Sequence, residues 1–283
     1  MEKDMMIFQR LLTCALLAGL GAGFTYSAMQ RWSVIPIINA AEAYESAHEA
    51  SAKAVVNQKT NKALPAESLV QITDQIKAHD HASREHHRHA HDDSAWAPKD
   101  GAERIFWTVV ANVFTSFGFA LVLLPLIAWW DLKRGGDAAS LYTGLVWGAA
   151  GWLCFFLWPA LGMRPALPGE VGAFLQNRQA WWVFTVACAC IGFASILTIR
   201  SRARWLGLIF LVLPFLVGAP KLGSAPFAGY SPEIAAQLKM LSTQFFTATA
   251  LANAAQWLVL GALSGVLVPL RLRAMLSQAR HSY

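Results

Sequence analysis

Charge is what this chain has least of. Asp, Glu, Lys and Arg make up only 14% of its 283 residues, whereas soluble domains carry close to a quarter. That deficit, with 55% hydrophobic residues, twelve Trp and a mean hydropathy of +0.39, excludes an ordinary soluble domain and indicates a multi-pass membrane protein. The formal net charge of +6 does not point to nucleic acid, because the basic residues sit in short clusters at the ends of apolar runs, the pattern of membrane topology. Cysteine is scarce as well. Cys14, Cys154, Cys188 and Cys190 all lie within apolar segments, which excludes an extracellular disulfide framework and suits buried small apolar residues. Cys188 and Cys190, two apart, point to different sides of a helix and make a poor metal pair. Nucleophile–base arrangements, phosphate loops and zinc-protease motifs are absent, so the reading is not an enzyme and calls for no organic cofactor.

The apolar runs that are present predict an all-α polytopic membrane helix bundle of six, or five, transmembrane helices set in the lipid bilayer. Residues 7–29 form the first span. Its basic start and Tyr26-Ser27-Ala28 imitate a secretory signal, but an apolar stretch of about 20 residues favours an uncleaved helix. Gly19 and Gly23 give it a GxxxG spacing suited to close helix packing. Residues 30–104 form a long extracytoplasmic loop, in which the segment from Val34 to Glu45 reads as a bent continuation of the first helix. Pro65 can start a short helix with Leu69, Ile72 and Ile76 on one side. Residues 105–268 hold a bundle of four or five further helices. Their apolar runs cover 105–130 (interrupted by Pro125), 141–161, 180–199, 205–219 and 245–268. The run 205–219, at about 15 residues, falls short of the usual 20 and could be a tilted helix, a half-helix or a re-entrant segment. Residues 269–283 make a basic cytoplasmic tail. If the short run crosses, the clusters Lys3/Arg10, Lys133/Arg134, Arg200/Arg202/Arg204 and Arg271/Arg273/Arg280 all share one side. The positive-inside rule makes that side cytoplasmic and puts the long loop outside.

That loop carries the most concentrated chemistry in the chain. From His79 to Asp93 it reads HDHASREHHRHAHDD, six of the eight histidines beside four acidic side chains. Imidazole is the commonest protein ligand for Zn, Cu, Ni and Co ions, and carboxylates can complete such a site. His79, His81, His86, His87, His89 and His91, with Asp80, Asp92 and Asp93, are therefore the candidate metal ligands. A solvated His-rich loop that binds metal only loosely, or only changes charge near pH 6, is the alternative.

Within the predicted spans, apart from Arg10 at the start of the first, there is no Asp, Glu, Lys, Arg or His. This argues against an ordinary proton-coupled pump and against haem, which needs axial ligands such as His at membrane depth. Neutral polar residues remain: Asn112, Thr115 and Ser116, then Thr185, then Thr247, Thr249, Asn253 and Gln256. Asn112 and Thr115 share one helix face, and Thr249, Asn253 and Gln256 share another. Two such faces can line a path between helices, or they can hold the bundle together by hydrogen bonds.

Several stretches carry a family likeness. They are the glycine-rich first helix, VIPIINAAEAYE (34–45), the His-rich loop, WAPKDGAERIFWTVVANVFTSFGFALVL (96–123), WGAAGWLCFFLWPALGMRPALPG (147–169), LPFLVGAP (213–220) and ANAAQWLVLG (252–261). In their order and spacing the chain resembles the CbtA family of cobalt transporter subunits over almost its whole length. The resemblance implies a bacterial inner-membrane protein that takes up cobalt, usually beside a small single-span partner of the CbtB type with its own histidines. It also implies Asn112 and Asn253 as path residues. The family pattern often has His where this chain has Phe156, Phe215 and Lys221, and an acid where it has Ala166. The expectation is a component of divalent metal uptake, with cobalt first and nickel or zinc next as substrate ion. A membrane-anchored metal-binding or sensing module, or a partner scaffold, that does not transport is the alternative.

Overall fold

The computed structural model describes residues 2–61, 98, 101–221 and 225–272, and among them all regular structure is helical. Helix α1 (Glu2–Met29) does not stop at the end of the predicted first span. A π-helical turn, Gln30–Val34, passes it directly into α2 (Ile35–Asn61), so the expected bent continuation is one unbroken helical rod. The Ala- and Glu-rich sequence after Pro36 supports the extension, since both residues are strong helix formers.

Then follow α3 (Ala102–Lys133), α4 (Leu141–Trp152), a second π turn (Leu153–Leu157) and α5 (Trp158–Gly162). The chain continues through α6 (Leu175–Thr198), a 3-10 turn (Arg202–Trp205), α7 (Leu206–Val217), α8 (Pro232–Leu267) and a third π turn (Val268–Leu272). Each π turn lies beside or around a proline: Pro36, Pro159 and Pro269. A proline lacks the N–H that the fourth residue before it would receive and crowds that residue's carbonyl, and a widened turn relieves both. Pro125 breaks nothing; it sits inside a continuous α3.

Among the described residues five helical stretches are long and apolar enough to cross a membrane, and α7, at twelve residues, is not one of them. It nevertheless runs antiparallel along about half the length of its neighbour. Gly207 of α7 abuts Gly192 near the end of α6, and the Trp181 indole near the start of α6 donates to Pro214 O at 3.3 Å. Beyond α7, Pro226 O accepts from Val171 N–H at 2.7 Å, in the segment that precedes α6. The chain therefore leaves α7 at the end opposite to the one where it entered.

Small residues bring the other helices together. A Cβ on Gly19 or Gly23 would lie 2.7 Å from Phe117 Cα or 2.6 Å from Val113 Cα, so α1 rests directly on the α3 backbone. Gly144 and Gly148 of α4 interlock in the same way with Gly261 and Gly265 of α8, two GxxxG spacings face to face. Between α3 and α4, buried Asp131 accepts from Ala138 N–H at 2.8 Å and Ala139 N–H at 2.7 Å. Gly135 and Gly136, both at φ 94°, make the reversal that glycine alone adopts easily.

The Arg10 guanidinium donates to Arg271 O at 3.4 Å, and Ser140 abuts Gly265, so the start of α1, the α3–α4 turn and the end of α8 share one end of the molecule. Gly162 abuts Trp181, which makes α6 antiparallel to α4 and brings Arg200, Arg202 and Arg204 to that same end. The opposite end is tied by Arg104–Glu42 at 3.2 Å and by the Tyr44 hydroxyl donating to Gln237 at 2.6 Å.

Candidate functional site

The candidate metal ligands of the loop, His79, Asp80, His81, His86, His87, His89, His91, Asp92 and Asp93, lie outside the described residues, as does the helix expected from Pro65. Among the described residues no group of three or more His, Cys, Asp or Glu side chains is gathered closely enough to hold an ion. What the structure does assemble is the neutral chemistry of the spans.

Helices α1, α3 and α8 meet at one connected polar network. The Asn112 side-chain amide of α3 donates to Ser27 Oγ at 3.0 Å and to Gln30 Oε1 at 2.7 Å. The Tyr26 hydroxyl lies within hydrogen-bond reach of Gln30 and of Asn253 on α8. Asn253 in turn donates to Gln256 at 3.4 Å, and Gln256 donates to Ser116 Oγ at 2.8 Å, returning to α3. Seven side chains thus join three helices without a formal charge. One face of each helix supplies them, because 27 and 30, 112 and 116, and 253 and 256 are three or four residues apart.

Thr249 and Asn253, one turn apart on α8, carry the unmet valences. Thr249 Oγ1 and Asn253 Oδ1 are both buried and accept no hydrogen bond. Buried polar atoms are nearly always paired, and an unpaired one costs about 1–3 kcal/mol. Two orphan acceptors on one helix face, inside a network of amides and hydroxyls, are a ready neutral-oxygen surface for a cation or a donor. Apolar side chains close the network on both sides. Towards the basic end lie Ala18, Ala22, Leu124, Ile127 and Leu260, and towards the other end Val34, Ala41, Leu238 and Phe245.

Not every expected residue joins. Thr115 is exposed on the outer face of α3, and its hydroxyl donates back to Ala111 O at 2.8 Å; the adjacent, fully buried Ser116 enters the network instead. Thr247 likewise bonds within its own helix. Asn112, Thr249, Asn253 and Gln256 are brought together. Sequence reasoning missed Tyr26, Ser27 and Gln30, which sit at the end of the first apolar run. The available signal was the glycine stripe: Gly19, Gly23 and Ser27 repeat every four residues, so the face that touches α3 continues into Ser27.

Where the CbtA pattern often has histidine, aromatic packing occupies the space. Phe156 stacks on Trp152 and on Phe246, each with centroids 6.4 Å apart, and Phe215 packs edge-on against Trp158 and Trp181. At the end away from the basic clusters, His48 of α2 packs on Tyr230 with ring centroids 4.5 Å apart. Burial pushes the Tyr230 phenol up from its ordinary range, and the carboxylates of Glu45 and Glu49 add to the effect.

Residues 8–269 match the family described as "Probable cobalt transporter subunit (CbtA)". The chain belongs to this family. Comparison with curated proteins and with solved structures gave no match. This CbtA member is accordingly a multi-pass membrane protein with a metal ion as substrate, in a family of transporter subunits that are not typically enzymes.

Proposed function

We propose that this CbtA member is the membrane-spanning component of a divalent metal uptake system, with cobalt as the principal ion. The histidine segment 79–93 collects the ion outside, and the network of α1, α3 and α8 passes it through the bundle. The observation that supports this best is the pair of orphan acceptors, Thr249 Oγ1 and Asn253 Oδ1, within a buried network spanning three helices. Asn112, Asn253 and Gln256 supply exchangeable amide oxygens, suited to a hard or borderline divalent ion.

The positive-inside rule orients the basic end toward the cytoplasm of a bacterial inner membrane, with both termini inside. The histidine segment then faces the source of the ion. A small single-span, histidine-bearing protein of the CbtB type is the expected partner. Capture requires neutral imidazoles, so uptake should fall as pH drops below about 6.

One observation favours the alternative of a non-transporting metal-binding anchor: apolar clusters close both ends of the network. Radiolabelled cobalt uptake separates the two. Cells would express the chain alone, with its partner, and with His79, His81, His86, His87, His89 and His91 changed to alanine, with nickel and zinc as competitors. Uptake that falls on substitution supports transport with capture by the loop. Metal binding without flux, even beside the partner, would favour the anchor.

A further inference from the structure

Cys190 is a poor partner for Cys188, but it faces another thiol. Helix α6 runs antiparallel to α4–α5, in a register set by Gly162 against Trp181. In that register Cys154, in the second π turn, stands level with Cys190, and the two thiols lie within hydrogen-bond reach of one another. Cys154 is buried, Cys190 is half-buried, and neither is in a disulfide. The surroundings are aromatic: Phe155 on Trp182, and Trp158 edge-on to Phe193 at 5.2 Å. The widened turn before Pro159 carries Cys154.

We propose that Cys154 and Cys190 form a two-thiol site for a soft, low-coordinate cation, Cu(I) in the first instance, separate from the polar network. Thiolate selects Cu(I) over hard ions, and an ion such as Zn(II), which seeks four ligands, finds only two here. Charge balance agrees with a monovalent ion. Cu(I) displaces one proton, which leaves for solvent, and the resulting thiolate–Cu(I)–thiol unit is uncharged, as a low-dielectric interior demands. No electron is transferred. The site's position gives it a consequence. Helices α6 and α7 pack on each other and meet the core along the second π turn and α5, so an ion bridging the two sulfurs staples that hairpin to the core.

The test uses the purified full chain under reducing, anaerobic conditions, with the six loop histidines changed to alanine so that the loop does not contribute. Cu(I) is titrated against a chromogenic Cu(I) chelator. One equivalent should bind, and Cys154→Ser and Cys190→Ser should each weaken it by more than the ~100-fold typical of losing an outer-shell partner. Cys14→Ser and Cys188→Ser should not. X-ray absorption of the loaded chain should show two sulfur neighbours in a linear arrangement, a readout that does not depend on either variant folding. Binding unchanged by Cys154→Ser and Cys190→Ser, no competition with the chelator, or nitrogen and oxygen neighbours in place of sulfur would each overturn the site. Cobalt flux through the polar network is a separate measurement, so failure of one reading leaves the other standing.

Discussion

At the scale of single residues, Thr249 separates a path from a glue. Its hydroxyl is buried and unpaired, and replacing an unsatisfied polar group by an apolar one of the same shape is close to neutral or stabilising. Thr249→Val should therefore leave the melting temperature unchanged or slightly raised while cobalt uptake falls by about tenfold or more, the loss expected if about 1.4 kcal/mol of ion contact is removed. Unaltered uptake would remove Thr249 from the path. Gln256 gives the contrasting case. Gln256→Leu strands the Ser116 hydroxyl that it now contacts at 2.8 Å and should cost about 1–3 kcal/mol of stability, measured by thermal unfolding in detergent. Asn112, Asn253 and Gln256 were legible in the sequence because polar residues three and four apart inside apolar runs are conspicuous. The choice between Thr115 and Ser116 was not. Neighbours in sequence point about 100° apart on a helix, and which of them faces α8 depends on how α3 is rotated by the glycines of α1.

Single elements show where local sequence and tertiary packing divide the work. Gly144, Gly148, Gly261 and Gly265 hold α4 and α8 in backbone contact, so Gly148→Leu has no space to occupy. It should destabilise the bundle by about 1–3 kcal/mol or more, as overpacking does, and lower the yield of folded protein in detergent. Gly118, also helical, has nothing within 4 Å of the place its methyl group would take in an alanine. Gly118→Ala should be neutral or should add up to about 1 kcal/mol through helix propensity, making it the control by the same thermal measurement. Helix existence was readable from apolar run length; helix ends were not. Helix α8 begins at Pro232, thirteen residues before the apolar run at Phe245, with Ser231 accepting from Ile234 N–H as an N-cap. Its first turns are amphipathic and gain their stability by packing Leu238 under Val34 and Phe227, a contact that hydropathy along one chain cannot display.

The whole molecule poses a topological question that the twelve residues of α7 decide. An α-helix of that length rises about 18 Å, short of a bilayer core of about 30 Å, and run length alone leaves open whether the chain crosses. The contacts along α6 show that α7 runs antiparallel to it, because Gly207 lies beside Gly192 and Pro214 beside Trp181, and Pro226 then meets Val171; that direction predicts a crossing. Glu170 and Lys221 should therefore face the same compartment, and Arg202 the other. Cysteine substitution tests this directly with an impermeant thiol reagent on intact cells. The native thiols suit the assay, since Cys14, Cys154 and Cys188 are buried and Cys190 is half-buried within a spanning helix, which keeps the background low. Glu170→Cys and Lys221→Cys should label together, and Arg202→Cys only after permeabilisation. A split between Glu170 and Lys221 would overturn the path of α7. The reverse assignment, with Arg202→Cys labelled and the other two protected, would retain that path and invert the orientation. The histidine segment would then face the cytoplasm and could not collect ions from outside, so the same experiment tests the direction of transport that the proposed mechanism requires.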